Sequence, residues 1–264
     1  YDGYHFCDLN MVDIYNPFSL VNSLYQKRLR SYWAMSGATS LLPKFVGDME
    51  IRLNDFDHCS IDRFLLETSD VTGGGPELFL YQSGYLTIKS ADEFGYILGI
   101  PNEEVRQALN AMVLPALTLR KQGDTVSLQA NLYRQFGTGQ LDEAKKSMRA
   151  LIADVPYSNK KLASMDMEER YRLIISTILQ ALGVRVEVER MLATGRIDLV
   201  AWLSRYIYVI ELKLSNNGGL AAAEQQIRSC GYTEPFKADK RRVVGLAVEL
   251  DSEGKGLVDW KVVE

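Results

Sequence analysis

Apolar positions recur at two different intervals along this chain, and the change of interval separates its halves. From Pro17 onward, Phe18, Leu20, Val21, Leu24 and Tyr25 follow helical spacing, with Asn16 placed to cap the first turn. These side chains are expected to form the buried face of that helix. Thr72-Gly73-Gly74-Gly75-Pro76 reads as a turn-rich stretch. A strand at Tyr85-Leu86-Thr87-Ile88, a turn through Ser90 to Gly95 and a second strand at Tyr96-Ile97-Leu98 then make a small hairpin. Pro101-Asn102-Glu103-Glu104 opens another helix, with Asn102 as its cap and Val105, Leu109 and Val113 on its inner side.

Helices with one hairpin describe a mainly helical domain, winged-helix-like or lid-like, over residues 1–121. The polar break Lys121-Gln122-Gly123-Asp124 sets its end, and residues 122–264 form the second domain. Thr138-Gly139-Gln140 is a further break, opening a helix from Leu141 to Ala153. Asp166-Met167-Glu168-Glu169 has the form of a capping box. Tyr171, Ile174, Ile175, Ile178, Leu179 and Leu182 follow at helical spacing, and Gly183 ends the helix. The interval then changes to two: Val184 to Glu189, Arg196 to Trp202 and Tyr206 to Leu214 read as three strands. The loop Ser215 to Gly219 leads to an alanine-rich helix, Leu220 to Cys230, then a strand, Arg242 to Leu250, a turn near Gly254 and Leu257 to Val263. The order is helix, three strands, helix, strand, with an extra strand behind, which predicts an α/β domain with a mixed sheet.

Composition excludes several classes. With 264 residues, 47% hydrophobic and 24% charged, the chain is globular rather than disordered or fibrous. The most apolar stretch, Leu173 to Val184, is short and interrupted by Ser176, Thr177 and Gln180, so no membrane span is expected, and no secretory signal opens the sequence. Three distant cysteines, Cys7, Cys59 and Cys230, give neither a disulfide framework nor a metal knuckle, which suits a reducing cytoplasm. His5 and His58 lack companions at zinc-ligand spacing. A chain opening on Tyr1 rather than Met is expected to be a fragment. Residues 1–121 carry 10 Lys and Arg against 15 Asp and Glu, whereas residues 122–264 carry 20 against 19, so any phosphate binding is expected in the second half.

Candidate chemistry lies on the second and third strands of that half. A hairpin turn centred between Ser204 and Arg205 sets Asp198 opposite Glu211 and Arg196 opposite Lys213, with Asp198, Glu211 and Lys213 on one face. Two carboxylates opposed across a sheet repel each other. A divalent cation between them removes the conflict, and oxygen ligands suit Mg²⁺ or Mn²⁺. An adjacent lysine then orients a water nucleophile or stabilises charge on a phosphate. No nucleophile elbow is present, so acyl transfer has no support. Tyr206 and Tyr208 alternate with apolar residues as packing groups rather than base-stacking platforms.

Gly195-Arg196-Ile197-Asp198, twelve intervening residues and Glu211-Leu212-Lys213 resemble the signature of the PD-(D/E)XK nuclease superfamily. The resemblance implies a restriction-endonuclease-like αβββαβ core. The stretch Glu169 to Lys213, with Gln226-Ile227 and Gly231-Tyr232-Thr233-Glu234-Pro235-Phe236, looks like the nuclease domain of a prokaryotic family that fuses it to an AAA-ATPase-like region. Tyr15-Asn16-Pro17-Phe18-Ser19 and Pro101-Asn102-Glu103-Glu104-Val105 resemble the end of that ATPase-like region. The phosphate-binding pattern G-x-x-x-x-G-K-[ST] is absent, and Gly73-Gly74-Gly75 lacks its lysine, so this chain alone is not expected to hydrolyse ATP.

The resemblance implies roles. Asp198 and Glu211 would be metal ligands, Leu212 would add its backbone carbonyl and Lys213 would be the catalytic lysine. Glu169 would be an auxiliary acid, with Glu168 as its competitor, and Gln226 an accessory polar group. The expected activity is metal-dependent hydrolysis of DNA, read as endonucleolytic; DNA over RNA rests on the resemblance. The alternative is a catalytically inactive nuclease-like scaffold that binds nucleic acid or a protein partner. A third reading makes residues 1–121 a winged-helix DNA reader, against which its negative charge counts.

Overall fold

The computed structural model describes residues 1–7, 11–30, 32–33, 58–67, 75–118, 122–155 and 165–263. The chain divides into two units, Tyr1–Ala116 and Leu117–Glu264. Thr72 to Gly74 and Lys121 lie outside the described residues, as does the side chain of Val113.

In the first unit, Asn16 caps α1 (Pro17–Gln26) as expected, its side chain accepting from the Ser19 N–H at 3.1 Å. The helix does not bury the face its spacing predicted. Phe18, Val21, Leu24 and Tyr25 are exposed, Leu20 is half-buried, and the fully buried residue is Ser19. A polar anchor decides the orientation. The Ser19 hydroxyl donates to the buried carboxylate of Glu104 at 3.1 Å, and the same oxygen accepts the N–H groups of Tyr32 at 2.6 Å and Trp33 at 2.8 Å. A buried carboxylate must be satisfied, and that requirement outweighs the modest gain from an apolar helical stripe.

Downstream come β1 (Cys59–Asp62), α2 (Arg63–Glu67), α3 (Gly75–Gln82), β2 (Thr87–Ala91), β3 (Gly95–Gly99) and α4 (Glu103–Thr118). The hairpin β2–β3 is present, but it starts two residues late: the N–H groups of Tyr85 and Leu86 both bond the Leu80 carbonyl and leave the ladder. An unexpected strand, β1, pairs with β3 and gives a three-stranded antiparallel sheet of order β1-β3-β2. Asn102 caps α4, accepting from the Val105 N–H at 3.1 Å, and Val105 and Leu109 are buried.

The second unit holds α5 (Gln122–Thr138), α6 (Leu141–Ala153), α7 (Met167–Ala181), β4 (Arg185–Leu192), β5 (Gly195–Trp202), β6 (Tyr206–Leu214), α8 (Gly219–Ser229), β7 (Arg242–Leu250) and β8 (Leu257–Val263). Gln122 to Asp124, read as a break, are the first turn of α5. The α5–α6 corner needs glycine: Gly139 has φ +74°, and a Cβ there would lie 2.7 Å from the Tyr206 hydroxyl.

The five strands form one mixed sheet of order β4-β5-β6-β7-β8, in which only β6–β7 is parallel, joined through α8. Period-two alternation along β6 explains the two faces. Ile207 and Val209 pack with Ala223, Ile227 and Tyr232 on the α8 side, whereas Tyr208 and Ile210 face α5 and α7. Each buried Ile or Val contributes roughly 1.5–3 kcal/mol. Tyr208 is a packing group, its ring edge-on to Phe136 and its hydroxyl donating to the Phe136 carbonyl at 2.7 Å. No helix among the described residues is long and apolar enough to cross a membrane.

Candidate active site

The hairpin β5–β6 keeps the register expected of a turn centred between Ser204 and Arg205, from Trp202↔Ile207 to Leu199↔Ile210. Beyond Leu199 the ladder stops and a side chain takes its place. Asp198 Oδ2 accepts the Leu212 N–H at 2.9 Å, so this carboxylate sits at the split between the strands and is only 4% exposed. Arg196 does not pair with Lys213; it turns to Glu189 of β4, with Nη1 2.9 Å from Oε1.

Just beyond Ile210, the last position of β6 paired with β5, Glu211 and Lys213 meet. Lys213 Nζ donates to Glu211 Oε1 at 3.0 Å. Glu211 is 1% exposed, and its other oxygen, Oε2, is buried without a hydrogen-bond partner among the described residues. Burial, reinforced by the charge of Asp198, pushes its carboxyl up to about 7 against the pull of Lys213. Burial works against the Lys213 charge too, but the hydrogen bond to Glu211 and the charges of Glu211, Glu168 and Asp198 outweigh it and hold the ammonium above its ordinary pKa.

It is Glu168, not Glu169, that the structure sets against this lysine, its Oε1 4.0 Å from Lys213 Nζ. Helix geometry accounts for the place of Glu168. Glu168 lies three residues before Tyr171 and seven before Ile175, on the inward stripe of α7, while Glu169 falls to the side at the capping-box position. Asp166 caps the helix through the Glu168 N–H at 3.1 Å. Gln226 reaches the site indirectly: its amide donates to the Tyr232 hydroxyl at 3.1 Å, which donates to the Arg196 carbonyl at 2.9 Å. Gly195 permits this approach, since a Cβ there would lie 2.7 Å from the Tyr232 hydroxyl.

Sequence reasoning missed Arg172 and Glu189. Arg172 Nη1 lies 2.9 Å from Asp198 Oδ1, and Nη2 lies 3.2 Å from Glu189 Oε1. Arg172 stands four residues after Glu168 on the same stripe of α7, a spacing that was available to find it. Glu189 has φ +54°, a left-handed conformation with no sequence signal of its own.

Among the described residues no group of three or more His, Cys, Asp or Glu gathers as a ligand cage. A smaller oxygen set does fit a divalent cation. Glu211 Oε2 is buried and unpartnered beside Asp198. The Leu212 N–H points toward β5, and in an extended strand the carbonyl of the same residue points the same way. His5, in the first unit, has both ring nitrogens engaged, by the Ile88 carbonyl and by Asp13, each at 2.8 Å.

With this geometry in place, sequence comparison is informative. Residues 166–260 match the PD-(D/E)XK nuclease superfamily. The superfamily match spans α7 to β8 and contains every residue of the site just described. A protein of Azotobacter chroococcum mcd 1, described as an uncharacterized protein in the vnfD 5′ region, is 26% identical over 275 aligned residues. That alignment covers 99% of this chain and 51% of the relative, so the chain spans about half the length of the relative it matches. No solved structure matches.

Proposed function

We propose that the second unit hydrolyses phosphodiester bonds in DNA with Mg²⁺ or Mn²⁺. The observation that carries this reading is the buried, unpartnered carboxylate oxygen of Glu211, set beside Asp198 and tied to Lys213, inside the superfamily match. Asp198, Glu211 and the Leu212 carbonyl would hold the cation. Such an ion polarises a phosphoryl oxygen and makes a bound water a nucleophile at neutral pH.

The remaining roles belong to the chain. With its pKa raised, Lys213 stays an ammonium at neutral pH, which makes it a donor toward charge building on the phosphate rather than a base. Glu211 and Glu168 hold that ammonium in place. Gln226, through Tyr232, is a positioning residue that fixes the start of β5 and with it Asp198. We read the first unit as the end of an AAA-ATPase-like region; that reading, the preference for DNA and internal cleavage all rest on the resemblance in the sequence.

The test is cleavage of supercoiled and linear DNA in Mg²⁺ or Mn²⁺ by the full chain and by Lys213→Ala, with circular dichroism as the folding control. A loss of about 10²-fold or more in the folded variant is expected. Metal binding without cleavage of either substrate by the folded wild type would favour a second reading, an inactive scaffold that binds nucleic acid. One observation favours that alternative: Arg172 already occupies Asp198 Oδ1.

A further inference from the structure

Asp198 and Glu189 approach from neighbouring strands, and each turns an oxygen to the same guanidinium. Two carboxylates that converge in this way are stabilised by a cation between them. Here the cation is permanent, because an arginine does not deprotonate in proteins, and its side chain is only 12% exposed. Glu189 is held in a left-handed backbone conformation where its carboxylate meets Arg172 and Arg196, a strained geometry that the surroundings must impose. The orphaned oxygen lies on Glu211 instead, whose Oε2 is buried without a partner among the described residues. Hydrolases that use two ions set them about 3.5–4 Å apart around the reacting phosphate. In this site the place between Asp198 and Glu189 is filled.

We propose that Arg172 is a built-in cation standing where a second metal ion would bind, so that the site takes a single divalent ion. The inference rests on reading the domain as a metal-dependent phosphodiesterase, and it adds the number of ions and the residue that sets it. The fork of Arg172 meets two carboxylate oxygens, as a bridging ion would. Its charge also repels any second cation nearby.

Mn²⁺ bound per full-length chain, counted by titration calorimetry and by the paramagnetic resonance of free Mn²⁺ at neutral pH, tests this directly. Wild type is expected to bind one ion. Arg172→Ala is expected to bind two, because Asp198 and Glu189 then converge on an empty place, and the added Glu189→Gln change should return the count to one. Arg172→Lys, which keeps the charge, should stay at one. If circular dichroism shows Arg172→Ala unfolded, Arg172→Gln carries the same expectation of a second ion. Two ions in wild type, or one in both wild type and the folded neutral variants, overturns the role of Arg172 while the hydrolase reading stands. No ion on folded wild type overturns that reading and the inference with it.

Discussion

Each unit buries a glutamate, Glu104 in the first and Glu211 in the second, and each leaves its Oε2 without a partner among the described residues. What differs is the company of Oε1. Glu104 receives three neutral donors there, the Ser19 hydroxyl and the N–H groups of Tyr32 and Trp33, and so ties three chain segments together. Glu211 receives Lys213 there, has the Asp198 backbone N–H beside it, and faces a second carboxylate, that of Asp198. Burial alone therefore does not mark a functional carboxylate. In the proposed reading, the mark is a repulsion that the fold maintains and Lys213 only partly offsets.

The largest contrast is expected in cleavage. Glu211→Gln should lower Mg²⁺-dependent DNA hydrolysis by about 10³-fold, whereas Glu104→Gln should leave the rate unchanged, both read as initial rates on linear DNA. Equal losses would erase the distinction between the two sites. Next is stability. Glu104→Ala strands two buried backbone N–H groups and should destabilise the chain by about 3 kcal/mol in urea titrations.

Glu211→Gln should act in the opposite direction, and its sign depends on pH. Glu211 has a folded pKa of about 7 against an ordinary 4.5. Its contribution to stability is therefore full below 4.5 and is lost as pH rises through 7. The neutral glutamine escapes that loss, so the metal-free variant should be more stable than wild type at pH 8 and match it at pH 4. A variant less stable than wild type at pH 8 would mean that no repulsion is stored. The smallest effect belongs to the support of β5: Tyr232→Phe should cost about 1 kcal/mol by leaving the Arg196 carbonyl without its donor, seen as a small fall in melting temperature.

The parts legible in the sequence were those governed by local rules. Asn16, Asn102 and Asp166 all cap helices, because a side-chain acceptor one position before a helix has a near neighbour to satisfy. The β5–β6 register followed from a short turn and period-two alternation from Trp202 to Leu199, but the ladder stops before the expected pair of Asp198 with Glu211. Residues set by distant partners were not legible. The inward side of α1 is chosen by Glu104, 85 residues from Ser19 in sequence. Four-residue β1 is too short to show a period, and it exists because β3 offers it an edge. The spacing of Arg172 from Glu168 was visible, but its partners Asp198 and Glu189 emerge only once α7 lies across the sheet. The choice between Glu168 and Glu169 was open to helical arithmetic, but the capping box competes for the same segment.

Glu189 has one more consequence, for solubility. Strand β4 is at the border of the five-stranded sheet and carries exposed Val188 and Met191. A straight apolar border of this kind offers unpaired backbone groups to another copy and invites edge-to-edge aggregation. The left-handed residue breaks the extended run between Val188 and Arg190, and its charge faces Arg172 and Arg196 rather than an incoming strand. The kink that brings a carboxylate to the guanidinium also denies a second chain a continuous template.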